Sequence, residues 1–144
     1  MLACCERRFA EFTEYVREAM AGQDDLVQAL RELGRAYVRW GLERPEPYRI
    51  LFMNPHPAGE ELEDLPGMDG FFLLVAAVQG AMETGAMREA DPILVAVGLW
   101  TVVHGITSLL VAMRSQDHPD HFPRPDTDAL SDHQIDVQLR GLGA

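Results

Sequence analysis

At 144 residues, with 47% hydrophobic and 24% charged positions, the chain has the composition of one globular domain able to bury a core, which excludes a disordered or fibrous protein. The formal net charge is −11, and every one of the 12 basic residues is Arg. These arginines form no basic patch: Arg7-Arg8 and the helically spaced Arg31, Arg35 and Arg39 are interleaved with acids, so direct nucleic-acid binding by this chain is not expected.

In chain order, Leu2, Cys5, Phe9, Phe12, Val16 and Ala19 recur at helical spacing and predict a first amphipathic helix, ended by Gly22. The adjacent Cys4 and Cys5 are too close to bridge without strain and have no distant partner, so they read as reduced thiols of a cytoplasmic protein. The segment turns charged by its sixth residue and lacks the apolar region of a secretory signal. Asp24 or Asp25 caps a second helix whose apolar positions are Leu26, Leu30, Leu33, Tyr37 and Trp40, and Pro45 stops it. Arg44, Pro45, Glu46 and Pro47 make a tight corner into a short third helix from Tyr48 to Met53. The stretch from Asn54 to Pro66, rich in Pro and acids, reads as an exposed connection with the character of a flap.

A fourth helix is expected from about Met68 to Gly85, with Phe71, Phe72, Val75, Val78 and Met82 on an apolar face and Gln79 set among them. Asp91-Pro92 caps a long fifth helix that ends near Arg114 and carries Trp100, His104 and Gly105 as a W-x3-H-G constellation. Trp100 and His104, four apart, share a face that Thr107 and Val111 continue. On another face Gly98, Thr101, Gly105, Ser108 and Ala112 form a stripe of small side chains that lets a further helix approach. The uncharged run from Pro92 to Met113 is long enough to cross a membrane, yet its Gly, Thr, Ser and His dilute it and no other segment is comparable; a central helix buried on most sides is the preferred reading. After a polar run rich in Pro and Asp, a last helix is expected to begin past Ser131-Asp132 and to carry Ile135, Val137, Leu139 and Leu142. With no strand pattern, internal repeat or second domain, residues 1–144 read as a single all-α domain of about six helices.

The segment AYVRWGLERPEPYRILF, with Tyr37, Val38, Trp40, Pro45 and Tyr48, and the later GLWTVVHG together resemble the C-terminal regulatory domain of TetR-type transcription factors, in the subgroup named for a Trp-His-Gly (WHG) motif. The resemblance covers nearly the whole chain. It implies a helical bundle whose first helices enclose a small-molecule cavity and whose last two helices pair with their symmetry mates in a dimeric four-helix bundle. Gly98, Thr101, Gly105, Ser108 and Ala112, with Ile135 and Leu139 on the last helix, are the interface residues expected for such a homodimer. Proteins of this type begin with a helix-turn-helix head of roughly fifty residues. The chain lacks such a head, so it is expected to sense and dimerise without itself reading an operator; a start placed too late, a trimmed protein and a genuinely truncated homologue all remain open.

For the ligand site, Trp100 and His104 either line the cavity or pack the core with the imidazole bonded to a neighbouring helix. Gln79, among Val75, Val78 and Met82, either meets a ligand or reaches solvent at a helix edge. Tyr37, Trp40, Phe52, Phe71 and Phe72 furnish aromatic walls or simply core, and with Thr107 they complete a set that favours an apolar or aromatic effector. Asp117, His118, Asp120 and His121 have metal-ligating chemistry but sit in a Pro-rich run without a rigid frame, so no metal or cofactor is expected. No nucleophile elbow or phosphate loop occurs, and the paired acids fall in caps and loops, so no enzymatic activity is expected.

Overall fold

The structure, a computed structural model, describes residues 2–54, 67–114 and 125–144. Among them are six α-helices and no strand: α1 (Leu2–Met20), α2 (Leu26–Glu43), α3 (Pro45–Phe52), α4 (Met68–Glu83), α5 (Pro92–Arg114) and α6 (Thr127–Gly141). The expected flap and the Asp117–His121 cluster lie outside the described residues.

The helix ends follow local chemistry. Asp25 caps α2 by accepting a hydrogen bond from the Val27 amide at 2.8 Å, and Asp91 caps α5 by accepting from the Ile93 amide at 2.9 Å. Gly22 and Gly85, past α1 and α4, adopt φ of 80° and 74°, left-handed values open to glycine without strain. Two boundaries differ from the sequence reading. Helix α3 begins at Pro45, ahead of Tyr48, because Pro in a first turn has its φ preset and no amide to leave unpaired. Helix α6 begins at Thr127, because Asp126 accepts from the Ala129 amide at 2.8 Å; Ser131 lies within the helix and donates to the Thr127 carbonyl.

Helix α2 is the centre of the domain and packs against each of the other five helices. Its buried Leu30, Leu33, Tyr37 and Trp40 meet the Phe9, Phe12 and Val16 stripe of α1 and the Val95, Val103, Ile106 and Leu110 face of α5. Helix α6 is fastened to α2 by ion pairs from Arg31 to Asp136 (2.6 Å) and Arg35 to Asp132 (2.5 Å), and by buried Ile135 and Leu139.

Helix α5 departs from the expectation of burial on most sides. It is long and apolar enough to cross a membrane by length and composition alone, yet only 33% of its most apolar stretch is buried. The face turned from the core carries Leu94 and Leu109, 71% and 57% exposed, with exposed Gly98, Thr101 and Gly105 between them.

Candidate functional site

A cavity of about 530 Å³ opens beside α5 and draws its lining from all six helices. Helix α1 contributes Phe9, Phe12 and Val16, and α2 contributes Leu30, Leu33, Gly34 and Tyr37. Leu51 and Phe52 come from α3, Phe71 and Leu74 from α4, Ile93, Val97, Trp100 and Val103 from α5, and Ile135 and Leu139 from α6. The volume lies within the range of small-molecule sites. Among the described residues, no Asp, Glu, Arg or His side chain lines it. The polar-bearing side chains of the wall are Tyr37, Trp100, Asn54 and Gln138, of which Asn54 is exposed and Gln138 half-buried.

The aromatic wall is interlocked. Phe12 stands edge-on to Tyr37, Trp40 and Phe52 with centroid distances of 5.5, 5.2 and 5.0 Å, and Phe71 lies 6.1 Å from Trp100 across the gap between α4 and α5. Such contacts hold the rings in place while leaving their apolar surfaces toward the void.

Behind this wall lies a polar cluster. The Trp100 indole Nε1–H donates to the Tyr37 hydroxyl at 3.2 Å. That hydroxyl lies 3.3 Å from the Tyr48 hydroxyl and 3.1 Å from His104 Nδ1, and the Tyr48 hydroxyl is 2.6 Å from the same nitrogen. Burial raises the Tyr37 phenol well above its ordinary range and pushes Tyr48 up to about 12, so both stay protonated. Burial also lowers His104 below 6.5, favouring the neutral imidazole.

Of the residues expected to meet a ligand, Tyr37, Phe52, Phe71 and Trp100 come together around the cavity. His104 does not line it; its ring bonds to α2 and α3 from behind. Trp40 is fully buried in the core. Thr107 is fully buried too, with its hydroxyl donating to the Val103 carbonyl at 2.7 Å. Val75 packs in the core, Met82 is half-buried beside it, and Phe72 and Gln79 are exposed on the outer side of α4. The expectation for Gln79 is therefore corrected: Phe72, Ala76, Gln79 and Glu83 share one solvated helix face. Of the expected interface residues, Gly98, Thr101 and Gly105 are exposed, and Ser108 and Ala112 are half-buried. Ile135 and Leu139 are corrected in the same way, since both are buried within the chain and line the cavity.

The sequence reading did not assign Phe9, Phe12 and Val16 to the site; their i, i+3, i+7 spacing marks a buried stripe but not whether that stripe meets a neighbour or a void. Tyr48 was likewise unassigned to the site, although a buried phenol needs a partner and His104 and Thr107 were polar groups on hand in the long helix.

An all-helical domain with an apolar cavity of small-molecule size and a long apolar helix open along its outer face defines a class of helical-bundle proteins with an internal pocket. The chain belongs to the tetracycline-repressor-like C-terminal domain family, whose model matches residues 30–138. Domains of this family generally bind small-molecule effectors and dimerise. The solved structure of a protein with unknown function from Rhodococcus sp. RHA1 is similar with a TM-score of 0.83, at 23% identity, over 99% of this chain and 71% of that one. At that identity the likeness speaks for the fold. No curated protein matches the chain.

Proposed function

We propose that this chain is the ligand-sensing and dimerising domain of a TetR-type transcriptional regulator of the Trp-His-Gly subgroup, acting in the cytoplasm. Its cavity takes a small apolar or aromatic molecule, and occupancy alters the spacing of helix-turn-helix heads carried by the complete regulator. The observation that carries this reading is the 530 Å³ cavity walled by Phe12, Tyr37, Phe52, Phe71 and Trp100 and free of charged side chains among the described residues. Burial of apolar ligand surface there is worth roughly 25 cal/mol per Å², enough for a small hydrocarbon to bind without a single ion pair. The open α5 face, with Leu94, Gly98, Gly105 and Leu109, supports dimerisation through that helix, since a two-fold contact needs a self-complementary surface. Regulation then follows from linkage: the ligand shifts the dimer only as far as it prefers one geometry over another.

The experiment is a titration of the full chain with the uncharged fluorophore N-phenylnaphthylamine, followed by energy transfer from tryptophan, alongside sedimentation of the free and loaded protein. Saturable binding that is lost in Val103→Phe, which fills the cavity, is the expected result. Binding indifferent to that substitution, or none at all, overturns the sensor reading. A chain that sediments as a monomer at every concentration overturns the dimer. A stand-alone small-molecule-binding or heterodimerising module with no DNA binding is the alternative, and the open α5 face favours it equally. It gains if the complete gene product carries no helix-turn-helix segment.

A further inference from the structure

The cavity's polar chemistry is settled behind its wall, and that restricts what can enter. The cluster of Trp100, Tyr37, Tyr48 and His104 contains three donor protons if the imidazole is neutral and protonated on Nε2. One directional chain then places all three: Trp100 N–H to the Tyr37 oxygen at 3.2 Å, Tyr37 O–H to the Tyr48 oxygen at 3.3 Å, and Tyr48 O–H to His104 Nδ1 at 2.6 Å. In the opposite tautomer the Nδ1–H donates to the Tyr48 oxygen and the Tyr48 O–H turns to the His104 backbone carbonyl at 3.4 Å, which still leaves the Tyr48 oxygen as the acceptor for the Tyr37 proton. What remains for the cavity is at most one lone pair on the Tyr37 oxygen.

Consequently, among the described residues, the inner wall presents no free side-chain donor. Among the described residues the two other polar side chains of the lining, Asn54 and Gln138, both reach solvent. Helix α4 begins at the cavity edge, and its first turn carries Asp69, whose carboxylate offsets the attraction that a helix N-terminus has for anions. A carboxylate, sulfonate or phosphate in this space loses its hydration and, among the described residues, finds neither a countercharge nor free side-chain donors on the inner wall. A ketone meets the same shortage in milder form.

We propose that the cavity selects uncharged, mainly hydrocarbon ligands and rejects anions and acceptor-only groups, because Tyr48 and His104, which do not line it, hold the Tyr37 proton away from it. This rests on the reading of the cavity as a ligand site. Tyr48 and His104 are thus positioning residues for specificity. They act on the ligand through Tyr37.

Two comparisons on the full chain test the inference. N-phenylnaphthylamine and its sulfonated analogue, anilinonaphthalene sulfonate, share their rings and differ by one anionic group. The neutral compound should bind at least about tenfold more tightly, and the sulfonate should fail to displace it. A sulfonate that competes at equal concentration overturns the proposal. Next, ethylnaphthalene and acetonaphthone, a matched hydrocarbon and ketone, are used as competitors of the neutral fluorophore. In the parent chain ethylnaphthalene should win. In the double variant Tyr48→Phe with His104→Leu, the Tyr37 hydroxyl has no acceptor behind it, and the ratio should move toward the ketone by about three- to tenfold, the worth of one hydrogen bond. A loss of fold alone weakens both competitors together and leaves their ratio unmoved, which counts against the proposal, as does a parent chain that prefers the ketone. Failure of N-phenylnaphthylamine to bind at all is a different result: it overturns the ligand-site reading and the proposal with it.

Discussion

The Tyr48 hydroxyl lies 2.6 Å from Nδ1 of His104 and so ties the short helix α3 to the middle of the long helix α5. Tyr48 is fully buried, and its neighbour Phe52, 5.1 Å away ring to ring, belongs to the cavity wall. Removing the hydroxyl in Tyr48→Phe keeps the ring packing and leaves the imidazole nitrogen with the more distant Tyr37. We expect a loss of about 1 to 3 kcal/mol in unfolding free energy by urea titration. A variant as stable as the parent would show that water satisfies His104 equally well.

Gly41 and Gly105 should respond oppositely to enlargement. A Cβ at Gly41 would collide with the Thr107 methyl and lie 2.9 Å from Cδ2 of Tyr48, both rigidly buried. Gly41→Ala should therefore cost about 1 to 3 kcal/mol of stability. A Cβ at Gly105 meets nothing within 4 Å, so Gly105→Leu should leave the thermal midpoint of the protomer nearly unchanged while raising the dimer dissociation constant measured by sedimentation. An unaltered dimer would move the interface away from this face.

Acidification should destabilise the fold in two separate windows. Burial depresses His104, so the unfolded chain takes up that proton more readily; stability is complete above 6.5 and declines as the pH falls below it toward the folded value. Asp132 is held below 3.8 chiefly by its hydrogen bond to Arg35, so its contribution persists to lower pH and is lost only as the medium falls beneath that value. Urea midpoints compared between about pH 7.5 and about pH 5 should drop more in the parent than in His104→Asn, whereas Asp132→Asn should keep the parent's slope over that interval. Equal slopes for parent and His104→Asn would remove His104 as the cause.

The Arg35–Asp132 and Arg31–Asp136 pairs link α2 to α6 at partly exposed positions. Replacing Asp136 by Asn should lower stability by no more than about 1 kcal/mol, and the difference should shrink in molar salt. A larger, salt-independent loss would mean that α6 docks mainly through these charges and not through Ile135 and Leu139.

Much of the fold was legible because its signals are local. Asp91-Pro92 set the start of α5, Gly22 and Gly85 marked chain turns, and the apolar steps of α2 from Leu26 to Trp40 gave its buried face. The start of α6 was hidden because Asp126 and Ser131-Asp132 both look like caps, and only packing chooses between them. The site was half legible: Tyr37, Phe52, Phe71 and Trp100 were recognisable as large rings on apolar helix faces, although Trp100 keeps 40% of its surface exposed beside the cavity. Which inward rings border empty space depends on how well opposing helices fill the gap, and that is decided at long range, as the contrast between Trp40 in the core and Trp100 at the cavity shows. Gln79 was read from its apolar neighbours in sequence, while Glu83, four residues on, was the better guide to the side it faces.

The position of α2, in contact with each of the other helices, makes it the natural frame of reference for any motion in the domain. A bound molecule can displace α1, α4 or α5 separately, but a shift of α2 itself would disturb every layer together. Spectroscopic labels placed in pairs should therefore have one member on α2, and the exposed Arg39 offers that anchor without touching the cavity. Distances measured from it to the outer face of α5 would report how far a ligand's arrival is carried toward whatever lies beyond the domain.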